Sequence, residues 1–199
     1  MKNLNSATLD EALSLLEARL HMKDSVPLRL VVCGGSALIV ARLVTRATQD
    51  VDIVALMDER GELVDPHPLP PVLLEAASEV ARILGLKDDW LNDGPSRGEG
   101  GLFQMGLPEG FVSRLFRKDY GRRLTVYFAG RKDQIHFKLY AAVDRGGYHI
   151  DDLVTLKPDE GELNQAARWA MTHDVSPGFR EALKVLLKEL GYEQVAEKI

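Results

Sequence analysis

The stretch Cys33-Gly34-Gly35-Ser36-Ala37-Leu38, followed by Arg46-Ala47-Thr48-Gln49-Asp50-Val51-Asp52-Ile53, decides how this chain is read. Arg29 to Cys33 carries the short apolar run of a buried strand. Gly34 and Gly35 make a turn, because glycine adopts backbone angles that other residues resist. Ser36 to Val44 reads as a helix with Ala37, Leu38, Ala41 and Val44 inward, and Val51 to Leu56 as a second strand. Residues two apart on a strand share a face, with Cα atoms about 6.6 Å apart. Asp50 and Asp52 therefore lean toward one space, while Val51 and Ile53 point into the core.

Two hard carboxylates facing one space suit magnesium, which takes oxygen ligands and keeps room for waters and phosphates. One or two such ions can neutralise a triphosphate and lower the pKa of an attacking hydroxyl. Gly34 and Gly35 let backbone N–H groups approach an anion closely. Ser36 adds a hydroxyl where the following helix begins, and that end carries a partial positive charge. Each half also has a plain structural reading: a half-exposed strand alternating acidic and apolar residues, and a tight strand-to-helix turn. It is the two halves at a helix-length separation that point to bound phosphate and metal. Arg46 can pair with Asp52 or with a phosphate, and Thr48 can hold the turn by a side-chain hydrogen bond. Structural roles stand beside both.

Working outward, Thr8 to His21 reads as a helix, with Leu9, Leu13, Leu15, Leu16 and Leu20 at helical spacing and Thr8 with Glu11 as a capping box. Asp65 to Pro71 is a proline-rich loop. Val72 to Leu84 is a third helix closed by Gly85, and Asp93 to Gly101 reads as a mobile loop. Phe111 to Phe116 fits either a short strand or a helix, and Leu124 to Phe128 is strand-like. Beyond Gly130 the pattern is helical: Asp133 to Val143, Asp151 to Leu156, Asp159 to Met171, and a helix capped by Ser176 with Pro177 first and Gly191 after its end.

The 199 residues fit one large domain or two small ones, and a 45% hydrophobic fraction supplies a sizeable core. No apolar run approaches the roughly 20 residues that span a bilayer. The N-terminal residues do not read as a signal peptide, so no membrane association and a cytoplasmic protein are the expectations. Cys33 is the one cysteine, which excludes an internal disulfide, and it reads as a buried thiol at a strand end. A net charge of −5 argues against a general nucleic-acid coat protein. A local basic cluster of Arg114, Arg117, Lys118, Arg122 and Arg123, with Arg131 and Lys132 close behind, is either a solvated face or a contact for nucleotide or RNA phosphates.

In Gly35-Ser36, thirteen intervening residues and Asp50-Val51-Asp52, the chain resembles the nucleotidyltransferase superfamily related to DNA polymerase beta. A narrower resemblance is to the AbiEii-type nucleotidyltransferase toxins and allied uncharacterised bacterial proteins, which favour Gly-Gly-x-Ala-Leu and Arg-x-Thr-x-Asp-x-Asp. Gly34 to Leu38 and Arg46 to Asp52 carry those patterns. His136-Phe137-Lys138-Leu139-Tyr140-Ala141-Ala142 is similar to the family's lysine helix, and Asp151-Asp152-Leu153 to its later acidic motif. Asp89-Trp90-Leu91-Asn92 is similar to a segment of the uncharacterised relatives. The resemblance spans roughly residues 28 to 156. It implies Asp50 and Asp52 as Mg2+ ligands, Gly34, Gly35 and Ser36 as the triphosphate cradle, and Lys138 and Asp152 completing the site.

Read from its own helix, Lys138 lies at the edge of the apolar face and either snorkels to water or points into a cleft. Asp152 either favours a helix N-terminus or orients Lys138. His149, where the toxins carry an acid, reads as a surface histidine. The strand Arg123 to Phe128 lacks the third carboxylate that many polymerase-beta-like enzymes carry. Trp90 and Trp169 read as packing residues.

The expectation is an α/β (α+β) protein: a nucleotidyltransferase-like mixed sheet flanked by helices over residues 1–130, and a helical C-terminal portion over 131–199. The expected activity is transfer of a nucleoside monophosphate from an NTP to a hydroxyl of RNA, tRNA included, or of protein. If the toxin resemblance extends to biology, a cognate antitoxin is the expected partner. The competing class is an inactive binding module of the same fold, for nucleotide or a partner protein.

Overall fold

Asp52 stands on the second strand of the sheet, and Asp50 is two residues before it, just ahead of the strand's first residue. In the computed structural model, which describes residues 2–98 and 100–199, Val51 and Ile53 are fully buried while Asp50 and Asp52 are half-buried. The chain is mixed α/β, 53% helical and 14% strand, with an open mixed sheet flanked by helices and further helices at the C-terminal end. It folds as two compact units, Met1–Gln104 with Val112–Gly130, and Met105–Phe111 with Arg131–Ile199.

In the first unit, β1 (Leu28–Cys33), β2 (Val51–Met57), β3 (Leu63–Val64), β4 (Leu91–Asn92), β5 (Phe116–Asp119) and β6 (Leu124–Phe128) form one sheet in the order β3-β2-β1-β6-β5, with β4 also on β2. β1 is antiparallel to β2 and parallel to β6. The β1–β2 ladder breaks once: Val31 pairs with Ala55 but Val32 pairs with Ile53, so Val54 is the extra residue of a bulge. The Ser96 hydroxyl donates to the Val54 carbonyl at 2.7 Å. Past the bulge, Cys33 faces Asp52, and β4 lies parallel on the other side with Asn92 opposite Asp52.

Helices α1 (Ser6–Met22) and α3 (Pro71–Leu84) pack together through Leu9, Leu13, Leu16 and Leu20 against Leu73, Ala76, Ala77 and Val80. The cap of α1 is Asn5 rather than the expected Thr8: its Oδ1 accepts from the Thr8 N–H at 3.0 Å, and the Thr8 hydroxyl also turns to it. An Asn three residues upstream satisfies the orphan donor, so the helix starts earlier. Gly85 closes α3 at a left-handed φ of +67°, as expected of a helix-ending glycine.

Helix α2 (Gly34–Val40) differs from the expected Ser36–Val44 at both ends. It begins directly on Gly34 and stops at Ala41, because Arg42 takes φ +57° and the Leu43 N–H returns to the Leu38 carbonyl. That pairing satisfies the last carbonyls and ends the helix although no glycine is present. The stretch expected to be a mobile loop, Asp93 to Gly101, is instead pinned, Glu99 lying outside the described residues. Gly94–Ser96 form a 3-10 turn, and the Asp93 carboxylate is buried between His67 Nδ1 at 2.6 Å and Arg97 Nη2 at 2.5 Å. Burial raises the Asp93 carboxyl, but the His67 and Arg97 hydrogen bonds outweigh it and hold the group below the ordinary aspartate range. Phe111 to Phe116, open in the sequence, divides into a 3-10 turn at Phe111–Arg114 and the start of β5.

A four-residue helix α4 (Leu102–Met105) precedes the second unit's helices: α5 (Arg131–Arg145), α6 (Tyr148–Thr155), α7 (Glu160–His173), α8 (Pro177–Glu189) and α9 (Glu193–Glu197). Ala166, Ala167 and Ala170 are the buried residues that let α7 approach α5, whose Ile135 and Leu139 are fully buried. Asp159 and Glu162 form the capping box of α7, and Arg131 grips Glu162 with both ends of its guanidinium while also donating to the Leu156 carbonyl. Trp169, half-buried, sits in an aromatic cluster with His136, Phe137, Tyr140 and His173. No helix among the described residues is long and apolar enough to cross a membrane.

Candidate functional site

The carboxyl end of β1 delivers Gly34 and Gly35 beside the amino end of β2, and the main chain comes close enough to touch the side chains there. A Cβ on Gly34 would lie 2.5 Å from Oδ2 of Asp52, and a Cβ on Gly35 would lie 2.8 Å from the Thr48 hydroxyl. Arg46 Nη1 would be 3.6 Å from that same Gly35 position. Both glycines are thus required by close approach, and Gly34 also by its φ of +70°. The Thr48 hydroxyl, in a buried side chain, donates to Oδ1 of Asp50 at 3.0 Å. Its main chain is fixed by paired hydrogen bonds with Leu4. Arg46 donates to the Ala47 carbonyl at 3.3 Å. The first unit therefore brings Gly34, Gly35, Arg46, Thr48, Asp50 and Asp52 together.

Ser36 points elsewhere. Its hydroxyl donates to the Cys33 carbonyl at 3.3 Å, and the residue is fully buried, main chain included. Cys33 is buried at the strand end.

Two residues that sequence reading gave no site role stand beside the carboxylates. Asn92 Nδ2 is 3.4 Å from Oδ1 of Asp52. Lys87 Nζ is 3.0 Å from Oδ1 of Asp89. The Asp89 hydrogen bond and charge raise the Lys87 amine above the ordinary lysine range against an opposing effect of desolvation, and Asp50 and Asp52 add smaller pushes in the same upward direction. Lys87 lies in a turn where the Trp90 N–H returns to the Lys87 carbonyl, and the Trp90 carbonyl in turn accepts from the Val51 N–H. The one sequence signal here was the Asp89 to Asn92 segment, whose chemistry emerges only once β4 is laid on β2.

Lys138 and Asp152 meet in the second unit. Their Nζ and Oδ2 are 2.7 Å apart, with side-chain exposures of 5% and 2%. Lys138 neither snorkels nor stands open to solvent, since its ammonium also lies 5.5 Å from the centre of the Tyr148 ring. His149, expected at the surface, is buried and stacks on Tyr148 at 4.1 Å between ring centres.

The basic cluster is largely spoken for. Arg117 pairs with Asp119, Lys118 with Asp10, Arg123 with Asp24, and Arg131 with Glu162. β6 carries no carboxylate, and Asp119 on β5 accepts from Thr125 and Arg117. Among the described residues no group of three or more His, Cys, Asp and Glu side chains is placed to hold a metal ion. Magnesium does not need one: it binds through one or two carboxylates plus waters and substrate phosphates. Asp52 on β2 and Asp50 just before it, with bare backbone where a Cβ on Gly34 would strike Asp52, fit that mode. No family model, curated protein or solved structure matches the chain.

Gly34→Ala is expected to damage the site directly. The left-handed angle costs an alanine about 1–2 kcal/mol, and the new methyl must push the Asp52 carboxylate aside. A denaturant melt should show the stability loss. A crystal structure of the variant should show the displaced carboxylate; an unmoved Asp52 would count against the close-approach argument.

Proposed function

We propose that this chain is a magnesium-dependent nucleotidyltransferase that moves a nucleoside monophosphate from an NTP to a hydroxyl. The observation that carries the reading is the convergence of Gly34 on Asp52, and of Gly35 on Thr48, whose hydroxyl holds Asp50. Asp50 and Asp52 are the residues that would hold Mg2+, which when bound neutralises triphosphate charge. The main chain at Gly34 and Gly35 would cradle phosphate oxygens, with Arg46 and Lys87 supplying positive charge. Thr48 fixes the Asp50 carboxylate before substrate arrives, so its orientation is not lost to solvent reorganisation.

In the reaction the acceptor oxygen bonds to the α-phosphorus. The bond from that phosphorus to the oxygen bridging the β-phosphate breaks, pyrophosphate leaves with the electron pair, and the acceptor proton passes to water. In-line placement of acceptor and leaving group supplies much of the rate. The acceptor is RNA, tRNA included, or protein; the ion pairs that occupy much of the basic cluster give RNA no advantage over protein. A role as the toxin of a toxin–antitoxin pair, and a cytoplasmic location, belong to the same reading.

A second reading is favoured by the acid-free β6 and the inward Ser36 hydroxyl: a module of this fold that binds nucleotide or a partner protein without turnover. Incubation with each labelled NTP, magnesium, and total RNA or protein separates the two. Incorporated label supports the enzyme. Saturable NTP binding with no incorporation into any acceptor supports the binding module.

A further inference from the structure

We propose that Asn92 is a positioning residue for Asp52, setting the plane of its carboxylate for a divalent cation; the inference rests on the metal-binding reading above. The amide's facing is determined by its neighbours. Oδ1 accepts from the Gly94 N–H at 2.8 Å, so Nδ2 is turned toward Oδ1 of Asp52 and the Asp89 carbonyl, each at 3.4 Å. Both separations are at the long end for a hydrogen bond, as polar contacts in ligand-free sites often are before they tighten.

The backbone carrying this amide is pinned on both sides. Before it, Trp90 is fully buried, donates its indole N–H to the Ala77 carbonyl at 3.0 Å, and accepts from the Val51 N–H. After it, Asp93 is clamped by His67 and Arg97, and Ser96 bonds to the bulge carbonyl of Val54. β4 itself is only Leu91 and Asn92, and its register places Asn92 opposite Asp52. An asparagine that served only the Gly94 turn would need its oxygen alone. Here the nitrogen is also placed, shared between the Asp52 carboxylate and the Asp89 carbonyl.

The chemistry explains why an amide suits the position. The terminal torsion of a carboxylate is broad, so an unguided Asp52 would sample many planes. Magnesium demands near-ideal octahedral geometry and punishes that freedom. A guanidinium or ammonium would hold the carboxylate but cancel the charge the cation needs. A neutral amide orients it and leaves the charge in place, and such outer partners of metal-binding groups are commonly worth 10–100-fold in affinity.

Mn2+ alone is the probe. It is titrated into the full chain and the free ion is read by electron paramagnetic resonance, with Asp52→Ala as reference for the lost site. Asn92→Ala and the volume-matched Asn92→Leu should both bind about tenfold more weakly than wild type, with melting temperatures near the wild-type value. Two variants guard against one failing to fold. Asn92→Gln, which keeps the donor, should recover part of the affinity; a purely structural asparagine would not show that rescue. Wild-type binding that persists within about twofold in a folded Ala or Leu variant overturns the inference alone. Wild-type protein binding no more Mn2+ than Asp52→Ala overturns the metal reading, and the inference with it.

Discussion

Asp52→Ala, alone or with Asp50→Ala, is expected to reduce incorporation of labelled nucleotide by at least about 10²–10³-fold while the protein stays folded. The two carboxylates are half-buried and contribute nothing to the apolar face of β2, which Val51 and Ile53 supply. Removing the two charges leaves that apolar face in place and gives up the Thr48 hydrogen bond to Asp50 and the Asn92 contact with Asp52. The loss should therefore appear in activity and in Mn2+ binding and not in the melting temperature. Asp52→Asn, which keeps the shape and removes the charge, should resemble the alanine variant if charge is what matters. Undiminished incorporation by the double variant would end the enzyme reading. Incorporation lost together with the fold would show that the carboxylates serve structure.

Breaking the Lys138–Asp152 pair should have the largest effect on stability. The two side chains are 2.7 Å apart and almost wholly enclosed. Lys138→Met leaves a carboxylate buried without its ammonium, and Asp152→Asn leaves the ammonium without its carboxylate. Each is expected to cost about 3–5 kcal/mol, lowering the melting temperature by roughly 6–20 °C for a chain of this length. Lys138→Met with Asp152→Leu removes both charges together and should recover most of that loss, because replacing a buried pair by apolar groups is often neutral. Thermal melts of the two single variants and the double variant check this. If instead the single variants melt like wild type but lose incorporation, the pair serves the reaction as the toxin resemblance implies.

The comparison of Lys138 with Asp52 shows why only some of the site was legible. Asp50 and Asp52 stood out in the sequence because strand periodicity puts residues two apart on one face, although β2 begins only at Val51 and Asp50 precedes it. The glycines were readable as a turn, but their purpose was not. Only when β1 and β2 are paired does a Gly34 Cβ collide with Asp52 and a Gly35 Cβ with Thr48. Lys138 was ambiguous because a residue at the margin of a helical stripe can face water, a cleft or a partner. Its partner is one helix away at Asp152, and helix-to-helix packing is not a local property. Asn92 and Lys87 were out of reach for the same reason. They lie 40 and 35 positions from Asp52, and β4 is too short to announce itself by pattern.

Element identity followed local rules closely, and boundaries followed them less well. The leucine periodicity of α1, the Pro177 and Gly191 punctuation around α8, and the apolar runs of β1, β2 and β6 needed only neighbours in sequence. The C-terminal end of α2 was set by an arginine in a left-handed conformation, and the supposed loop at Asp93 by a buried carboxylate held between distant His67 and nearby Arg97. By itself, then, the sequence determined a mixed α/β chain with a strand-rich first part, a helical second part, and two acids at the start of its second strand. The tertiary structure alone decided which main chain meets those acids, which amide orients them, and that the lysine at 138 is sealed against Asp152. Periodicity and turn chemistry act between residues a few positions apart. Close approach, burial and charge pairing depend on which surfaces the folded chain brings together.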